Sequence, residues 1–266
     1  MPEAGTRERG RRRAFGAVFA LFLLPAALVL ALASPGGSRA NAAAGAVYAA
    51  AAQGSLQEAG RQLYLETCSS CHGPAGEGTT QGPSIDGLGP ADFDFQMSTG
   101  RMPLAQPGTQ GLARPPGLTR DQIDAITAYL QSVSPGGLPI PQVDPAAGNL
   151  STGSQQYLLN CAPCHSSTGN GGAVGPQVAP DLHHATPVQI AEAIRVGPGT
   201  MPNFDTSVID PDRLNSVVRY VIYLRTPEHP GGLSLGTFGP IVEGFVALFI
   251  GIAAMVIVSR YIGARS

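Results

Sequence analysis

The chain has 266 residues, of which 43% are hydrophobic and 13% are charged, and it contains 35 Gly and 24 Pro. This composition excludes a disordered acidic or basic tail protein and favours folded modules with many loops. All sixteen basic residues are Arg and none is Lys, which excludes a lysine-rich nucleic-acid-binding surface, so we expect no nucleic-acid partner.

The N-terminus has the features of an export segment. Five Arg within residues 7–13 precede an apolar run over residues 14–33, which is about as long as a bilayer core is thick. Ala31-Leu32-Ala33 also fits a signal-peptidase site. Residues 1–33 are therefore predicted to be either a cleaved signal peptide or a retained membrane anchor, followed by an Ala/Gly-rich tether over residues 34–54.

The four cysteines form two motifs of the pattern C-x-x-C-H. These are Cys68-Ser-Ser-Cys71-His72 and Cys161-Ala-Pro-Cys164-His165. Two thiols at this spacing can form thioethers to both vinyl groups of one haem, and the following histidine is then placed as the proximal ligand of the iron. A zinc ribbon would separate its cysteine pairs by about 15–20 residues, and disulfides would not explain the histidines. We predict a covalent haem c at each motif.

The sequence around the two motifs is duplicated. Residues 60–65 (GRQLYL) and 153–158 (GSQQYL) precede the two motifs at the same distance, and each is predicted to be a short helix. Each module is also predicted to end in an amphipathic helix, over residues 121–133 and 212–225, because apolar residues recur there at helical spacing. The predicted N-caps of these helices are Thr119 and Asp210.

Each module also offers a methionine as the sixth ligand of the iron, which a haem that carries electrons needs. The two stretches are Gly100-Arg101-Met102-Pro103 and Gly199-Thr200-Met201-Pro202. A glycine before and a proline after each methionine define a loop that can present the thioether. Met97 is a rival in the first module, but it has no following proline and no counterpart in the second. Met102 and Met201 are therefore the predicted ligands.

A proline lies between the cysteine motif and the methionine in both modules. A ligating imidazole is oriented by the hydrogen bond that its other ring nitrogen makes, and the carbonyl of Pro83 or Pro180 could accept that bond. A simple turn is the alternative at both positions. His183 and His184 could replace a methionine as ligand, but directly after the Pro180 turn we expect exposed side chains. His229 is assigned no role.

The predicted modules span residues 55–134 and 150–227, joined by a semi-rigid Pro/Gly linker over residues 135–149. A hinge over residues 228–240, a transmembrane helix over 241–262 and a tail over 263–266 follow. Arg260 and Arg265 close the apolar run, so the tail is expected in the cytoplasm and the modules on the extracytoplasmic side of the cell membrane.

Further stretches carry a resemblance to one family. They are Phe95-Gln-Met-Ser-Thr-Gly-Arg-Met102-Pro103, Gln122-Ile-Asp-Ala-Ile-Thr-Ala-Tyr129, Gly236-Thr-Phe-Gly-Pro240 and Tyr261-Ile-Gly-Ala-Arg-Ser266. From about Gly60 to Ser266 the sequence resembles the dihaem cytochrome c subunit of the actinobacterial menaquinol:cytochrome c reductase, the cytochrome bcc complex. The resemblance implies an all-α fold of two tandem class I cytochrome c-like haem domains with a C-terminal transmembrane helix.

The resemblance also implies a place in electron transfer. The chain would accept electrons from a Rieske iron–sulfur protein and pass them through two haems c to the CuA centre of an aa3-type oxidase. It would act beside a cytochrome b subunit, in a reductase that is a translocase. The chain itself would have no substrate site. The implied ligands are Cys68, Cys71, His72 and Met102 for the first haem, and Cys161, Cys164, His165 and Met201 for the second.

Two other functions remain open at this point. A dihaem enzyme would need an open or switchable iron or a cysteine ligand, and here no cysteine is left over and both modules offer a methionine. A membrane-anchored electron carrier for another dehydrogenase or oxidase would have the same haem motifs. Genes for a Rieske protein and a cytochrome b next to the gene for this chain would favour the reductase subunit over an anchored carrier for another enzyme.

Overall fold

The computed structural model describes residues 36–108, 111–228 and 240–264. The predicted export segment 1–33 and His229 lie outside these residues. Both cysteine motifs belong to one compact unit, Ser55–Ser266, and the described part of the other unit, Met1–Gly54, is helical. The elements are α1 (Gly36–Thr67), α2 (Ser69–His72), α3 (Pro90–Ser98), α4 (Arg120–Val133), a 3-10 turn (Pro145–Ala147), α5 (Leu150–Asn160), α6 (Ala162–His165), β1 (Gly172–Val174), β2 (Gln177–Ala179), α7 (Pro187–Val196), α8 (Pro211–Tyr223), α9 (Pro240–Phe245), a π-helical turn (Val246–Ile250) and α10 (Gly251–Gly263).

Helix α1 is longer than the sequence predicts. It covers 32 residues and includes the segment predicted as a tether over residues 34–54. Much of that segment is alanine, which has the highest helix propensity of all residues. The helix ends at Thr67, directly before the first cysteine of the chain.

In each module the helix before the cysteines crosses the last helix at a glycine. A Cβ on Gly60 of α1 would lie 1.9 Å from the carbonyl oxygen of Ala125 in α4. A Cβ on Gly153 of α5 would lie 2.0 Å from the carbonyl oxygen of Ser216 in α8. Only glycine lets these backbones approach so closely. The crossing closes one side of each module and fixes the position of the cysteine motif that follows.

The last helix of each module begins at the predicted cap. The Thr119 side chain accepts a hydrogen bond from the backbone N–H of Gln122, and Asp210 accepts one from the backbone N–H of Arg213. Both cap predictions are confirmed. Helix α8 ends at Tyr223, two residues earlier than the predicted end.

The second module contains a small antiparallel hairpin that the prediction of an all-α fold did not include. Strands β1 and β2 pair with Ala173 opposite Val178, and Gly175 adopts a φ of +57° in the turn between them. The hairpin lies between the cysteine motif and Pro180. The chain remains mainly helical, because each strand has only three residues.

The C-terminal helices form one apolar segment. Val242–Gly263 has 22 residues and a mean hydropathy of 2.3. At 1.5 Å per residue it is about 33 Å long, enough to cross the hydrocarbon core of a membrane. The segment agrees with the predicted transmembrane helix to within one residue at each end.

The glycine crossing yields a stability prediction. Gly60→Ala should lower the free energy of unfolding by about 1–3 kcal/mol, because the added methyl group meets backbone that cannot move aside. The matched control is Gly54→Ala in the same helix, since a Cβ there has nothing within 4 Å. The control should be neutral or stabilising by up to about 1 kcal/mol. Denaturant unfolding followed by circular dichroism measures both variants, and equal stabilities would contradict the close crossing.

Candidate haem sites

One continuous cavity of about 1320 Å³ is lined by residues of both modules. Pockets for a single small molecule usually measure about 300–1,000 Å³, so this cavity has room for more than one ligand. Its walls include every predicted ligand residue, namely Cys68, Cys71, His72, Met102, Cys161, Cys164, His165 and Met201. The structure therefore brings both predicted sets to one space.

The two cysteine motifs adopt the same local conformation. The backbone N–H of Cys71 and that of His72 donate to the Cys68 carbonyl at 3.1 and 3.0 Å. Cys164 and His165 donate to the carbonyl of their own first cysteine at 3.1 and 2.9 Å. This turn gathers two thiols and one imidazole at the cavity wall. All four cysteines are free thiols, so the alternative of disulfides is not what the structure contains.

Both histidines are oriented by a proline carbonyl. Nδ1 of His72 lies 2.8 Å from the carbonyl oxygen of Pro83, and Nδ1 of His165 lies 3.0 Å from that of Pro180. A carbonyl oxygen only accepts hydrogen bonds, so Nδ1 carries the proton and Nε2 keeps a free lone pair. This is the tautomer in which an imidazole can bind an iron through Nε2.

Burial also affects the protonation of the second site. His165 is 8% exposed, and burial lowers its pKa, although the bond to Pro180 acts in the opposite direction. A lowered pKa favours the neutral imidazole, which is the form that binds a metal. Burial raises the pKa of the Cys68 thiol, and it raises that of Cys161 to about 11.

Two methionines of the first module occupy different surroundings. Met102 is partly buried and lines the cavity, whereas Met97 is 6% exposed and packs within the core of the first module. The backbone N–H of Met102 donates to the Gln96 carbonyl at 2.9 Å. These contacts favour Met102 over Met97 as the group that faces a cofactor.

An arginine holds the loop around Met102. Nε of Arg114 donates to the Gly100 carbonyl at 2.6 Å, and its Nη2 donates to the Pro103 carbonyl. Arg114 was not predicted from the sequence, although an arginine inside a proline-rich loop that follows a predicted ligand is a usable signal. In the second module Arg195 donates to the Phe204 carbonyl at 2.7 Å, close after Met201.

A buried tyrosine supports the backbone behind each histidine. The Tyr64 hydroxyl donates to the Gly73 carbonyl and the Tyr157 hydroxyl donates to the Ser166 carbonyl, both at 2.7 Å. Both tyrosines are 0% exposed. Both lie in the duplicated stretches 60–65 and 153–158, but their role as hydrogen-bond donors was not predicted from the sequence. The position they share in the duplicated stretch was the available signal.

The expectation that His183 is exposed is wrong. Its side chain is 15% exposed, and its Nδ1 lies 2.5 Å from Oδ1 of Asp181. The carboxylate and the packing near Gly169 hold the ring against the protein. His184 is exposed as expected and contributes to the cavity wall.

The tyrosine contacts can be tested by removing single hydroxyls. Tyr157→Phe should lower the free energy of unfolding by about 0.5–1.5 kcal/mol, because the Ser166 carbonyl loses its 2.7 Å bond and keeps the longer bond from the Gly169 N–H at 3.4 Å. Tyr220→Phe is the matched control: its ring packs 5.4 Å from that of Tyr157. Urea unfolding of both variants measures the difference. If the two substitutions cost the same, the hydroxyl of Tyr157 has no special role.

Known protein families match both modules. Residues 57–134 match the family described as Cytochrome c, and residues 148–221 match the family described as Cytochrome C oxidase, cbb3-type, subunit III.

Two relatives match 98% and 80% of this chain. The Cytochrome bc1 complex cytochrome c subunit of Mycobacterium tuberculosis (strain ATCC 25618 / H37Rv) is 36% identical over 98% of this chain and 94% of its own length. The protein of the same name from Corynebacterium diphtheriae is 32% identical over 80% of this chain and 82% of its own length. With two cytochrome c domains and this similarity from end to end, the chain belongs to the family of cytochrome bc1 complex cytochrome c subunits.

Proposed function

We propose that this cytochrome c subunit is a dihaem electron relay, in which each domain binds one haem c and electrons pass between the two sites within the chain. The observation that carries the proposal is the single cavity lined by both complete ligand sets. The proposed covalent attachments are at Cys68 and Cys71 in the first domain and at Cys161 and Cys164 in the second.

The residues present fit such a group. Each site offers two free thiols in one turn, an imidazole whose tautomer is fixed by a proline carbonyl, and a methionine on the cavity wall. We propose His72 and Met102 as the iron ligands of the first site, and His165 and Met201 as those of the second. When bound, haem c supplies an iron that alternates between the ferric and ferrous states.

The protein residues also tune the sites for electron transfer. Histidine with methionine as axial ligands favours a high reduction potential. The hydrogen bonds of His72 and His165 to Pro83 and Pro180 increase the basicity of the ligating nitrogen and prevent the ring from turning. The cavity walls are mainly apolar, as is usual for a cofactor site. These features support a carrier whose high potential lets it accept electrons from a donor that itself has a high reduction potential.

We propose a Rieske iron–sulfur protein as the electron donor and the CuA centre of an aa3-type oxidase as the acceptor, with a cytochrome b subunit beside the chain. Membership of the bc1-complex family supports the first of these partners. The absence of Lys from the chain supports a carrier that stays within its complex, because a lysine-rimmed docking face suits a mobile cytochrome. The reductase so formed would be a menaquinol:cytochrome c reductase, a translocase.

The apolar C-terminal helix supports a membrane location for this assembly. Val242–Gly263 is the segment among the described residues that is long and apolar enough to cross a membrane. Arg260 lies in its last turn, so the positive-inside rule favours a cytoplasmic C-terminus and haem domains on the extracytoplasmic side. A cysteine-scanning accessibility assay on intact cells tests this orientation.

Purification of a C-terminally tagged chain from solubilised membranes tests the proposed partners. Co-purifying haem b and haem a, together with oxygen uptake driven by menaquinol, is the expected result. A c-type spectrum without partners would instead support an anchored carrier for another dehydrogenase or oxidase. Haem quantification on the same sample is expected to give two haems c per chain.

The methionine ligands yield a separate prediction. Met102→His should lower the potential of one haem by on the order of 0.1 V and leave the other unchanged, since axial ligands set haem potentials over a range of about 0.8 V. Met97→Leu is the matched control and should leave both potentials unchanged. Spectroelectrochemical titration measures both variants. A shift in the Met97→Leu protein alone would identify Met97 as the ligand.

A further inference from the structure

The two haem domains contact each other through helices α3 and α7. Nε2 of Gln189 in α7 lies 3.2 Å from the carbonyl oxygen of Ser98 and 3.1 Å from its hydroxyl. Oε1 of the same side chain accepts from the backbone N–H of Thr186 at 2.9 Å. The bond to Thr186 at the N-terminus of α7 fixes Oε1 of Gln189. Nε2 of the same amide is therefore oriented towards the first domain.

One turn further along α7, a carboxyl group is buried in the same interface. Glu192 is 0% exposed and Asp94 of α3 is 4% exposed. The two carboxyl groups are in hydrogen-bond contact. Among the described residues, no N–H or hydroxyl group donates a hydrogen bond to either carboxyl oxygen of Glu192. An ionised carboxylate can only accept hydrogen bonds, so this contact requires one proton between the two groups.

The surroundings decide which carboxyl group holds the proton. The guanidinium of Arg120 forms an ion pair with Asp94, which stabilises the negative charge there. Glu192 has no such partner, and burial followed by the proximity of Asp94 raises its pKa from 4.5 to about 9, against a smaller opposing effect of Arg120. At neutral pH, Glu192 is therefore the protonated donor and Asp94 the acceptor.

The groups that face Glu192 are Asp94 from α3 and Arg120 from α4. Helices α3, α4, α7 and α8 carry other charged groups, and each of these bonds elsewhere or lies at the surface. They are Asp92, Asp121, Asp124, Arg195, Asp212, Arg213 and Arg219. Glu192 is therefore the charged or titratable group on these helices whose proton can change the contact between the domains.

We propose that Glu192 and Asp94 are positioning residues for electron transfer between the two haem sites: the proton they share holds the domains together, and its loss at rising pH separates them. This inference rests on the proposed function, because it assigns the pair a role in transfer between two haems. The cysteine, histidine and methionine ligands are not part of the pair, which acts through the interface alone.

The direction of the pH effect follows from the raised pKa of Glu192. The closed interface binds the proton more tightly than the open one, so it is most stable below the ordinary carboxyl pKa of 4.5. As pH rises from there towards about 9, the ratio of closed to open forms should fall by up to about tenfold per pH unit. Above that range the ratio should no longer change.

Glu192→Gln tests the proton directly. The glutamine amide is close in size to a protonated carboxyl group and donates to Asp94 at every pH, so this variant should keep the interface closed and lose the pH dependence. Asp124→Asn is the matched control. Asp124 also pairs with Arg120, but its side chain is 51% exposed, and it is not among the groups that act on Glu192.

The experiment uses the full-length haem-loaded protein in detergent. Infrared difference spectra, recorded during pH titration, follow the carbonyl stretch of protonated carboxyl groups. The unmodified protein and Asp124→Asn should show a protonated carboxyl group at pH 7 that titrates by about pH 9, and Glu192→Gln should lack it. A signal that is absent from the unmodified protein, or unchanged in Glu192→Gln, would overturn the proposal.

The second readout is the rate of electron equilibration between the two haems after photoreduction. From pH 6 to pH 9 the rate should fall in the unmodified protein and in Asp124→Asn, and stay constant in Glu192→Gln. The same fall in all three proteins would reject the positioning role, even with the infrared signal present.

Haem quantification separates failure of the dihaem relay from failure of the shared-proton proposal. One haem per chain would refute the relay, while the infrared titration would still decide whether the carboxyl groups share a proton.

Discussion

Each proposed haem site depends on one hydrogen bond, from Nδ1 of the histidine after the cysteine pair to a proline carbonyl. It joins the cysteine turn to the loop that follows and fixes the ring that faces the cavity. The bond spans 11 residues in the first domain and 15 in the second. The second domain accommodates its longer loop in the hairpin β1–β2, so the bond is kept while the chain between its ends differs.

The two domains are most alike before the cysteines and differ most after the methionines. Thr119 follows Met102 by 17 residues, whereas Asp210 follows Met201 by nine. The longer segment of the first domain contains Arg114, which bonds to the backbone on both sides of Met102 and lines the cavity. Both domains therefore have the same helix crossing, whereas the segments that follow the two methionines differ.

Features that depend on local sequence were predictable. The caps Thr119 and Asp210 need only residues within one turn, and the cysteine motifs carry their chemistry in five residues. The hairpin was not predictable, because strands of three residues give too short an alternating pattern. The contact of Glu192 with Asp94 was not predictable either, since it joins helices of two domains and a lone glutamate in an amphipathic helix normally indicates a solvated face.

The partial burial of Cys161 has a consequence for biogenesis. Burial raises the pKa of its thiol to about 11, so at neutral pH little of it is the reactive thiolate. The proposed thioether at Cys161 would therefore form faster before the domain closes around this residue than after it. A chain that folds before haem attachment is expected to mature more slowly.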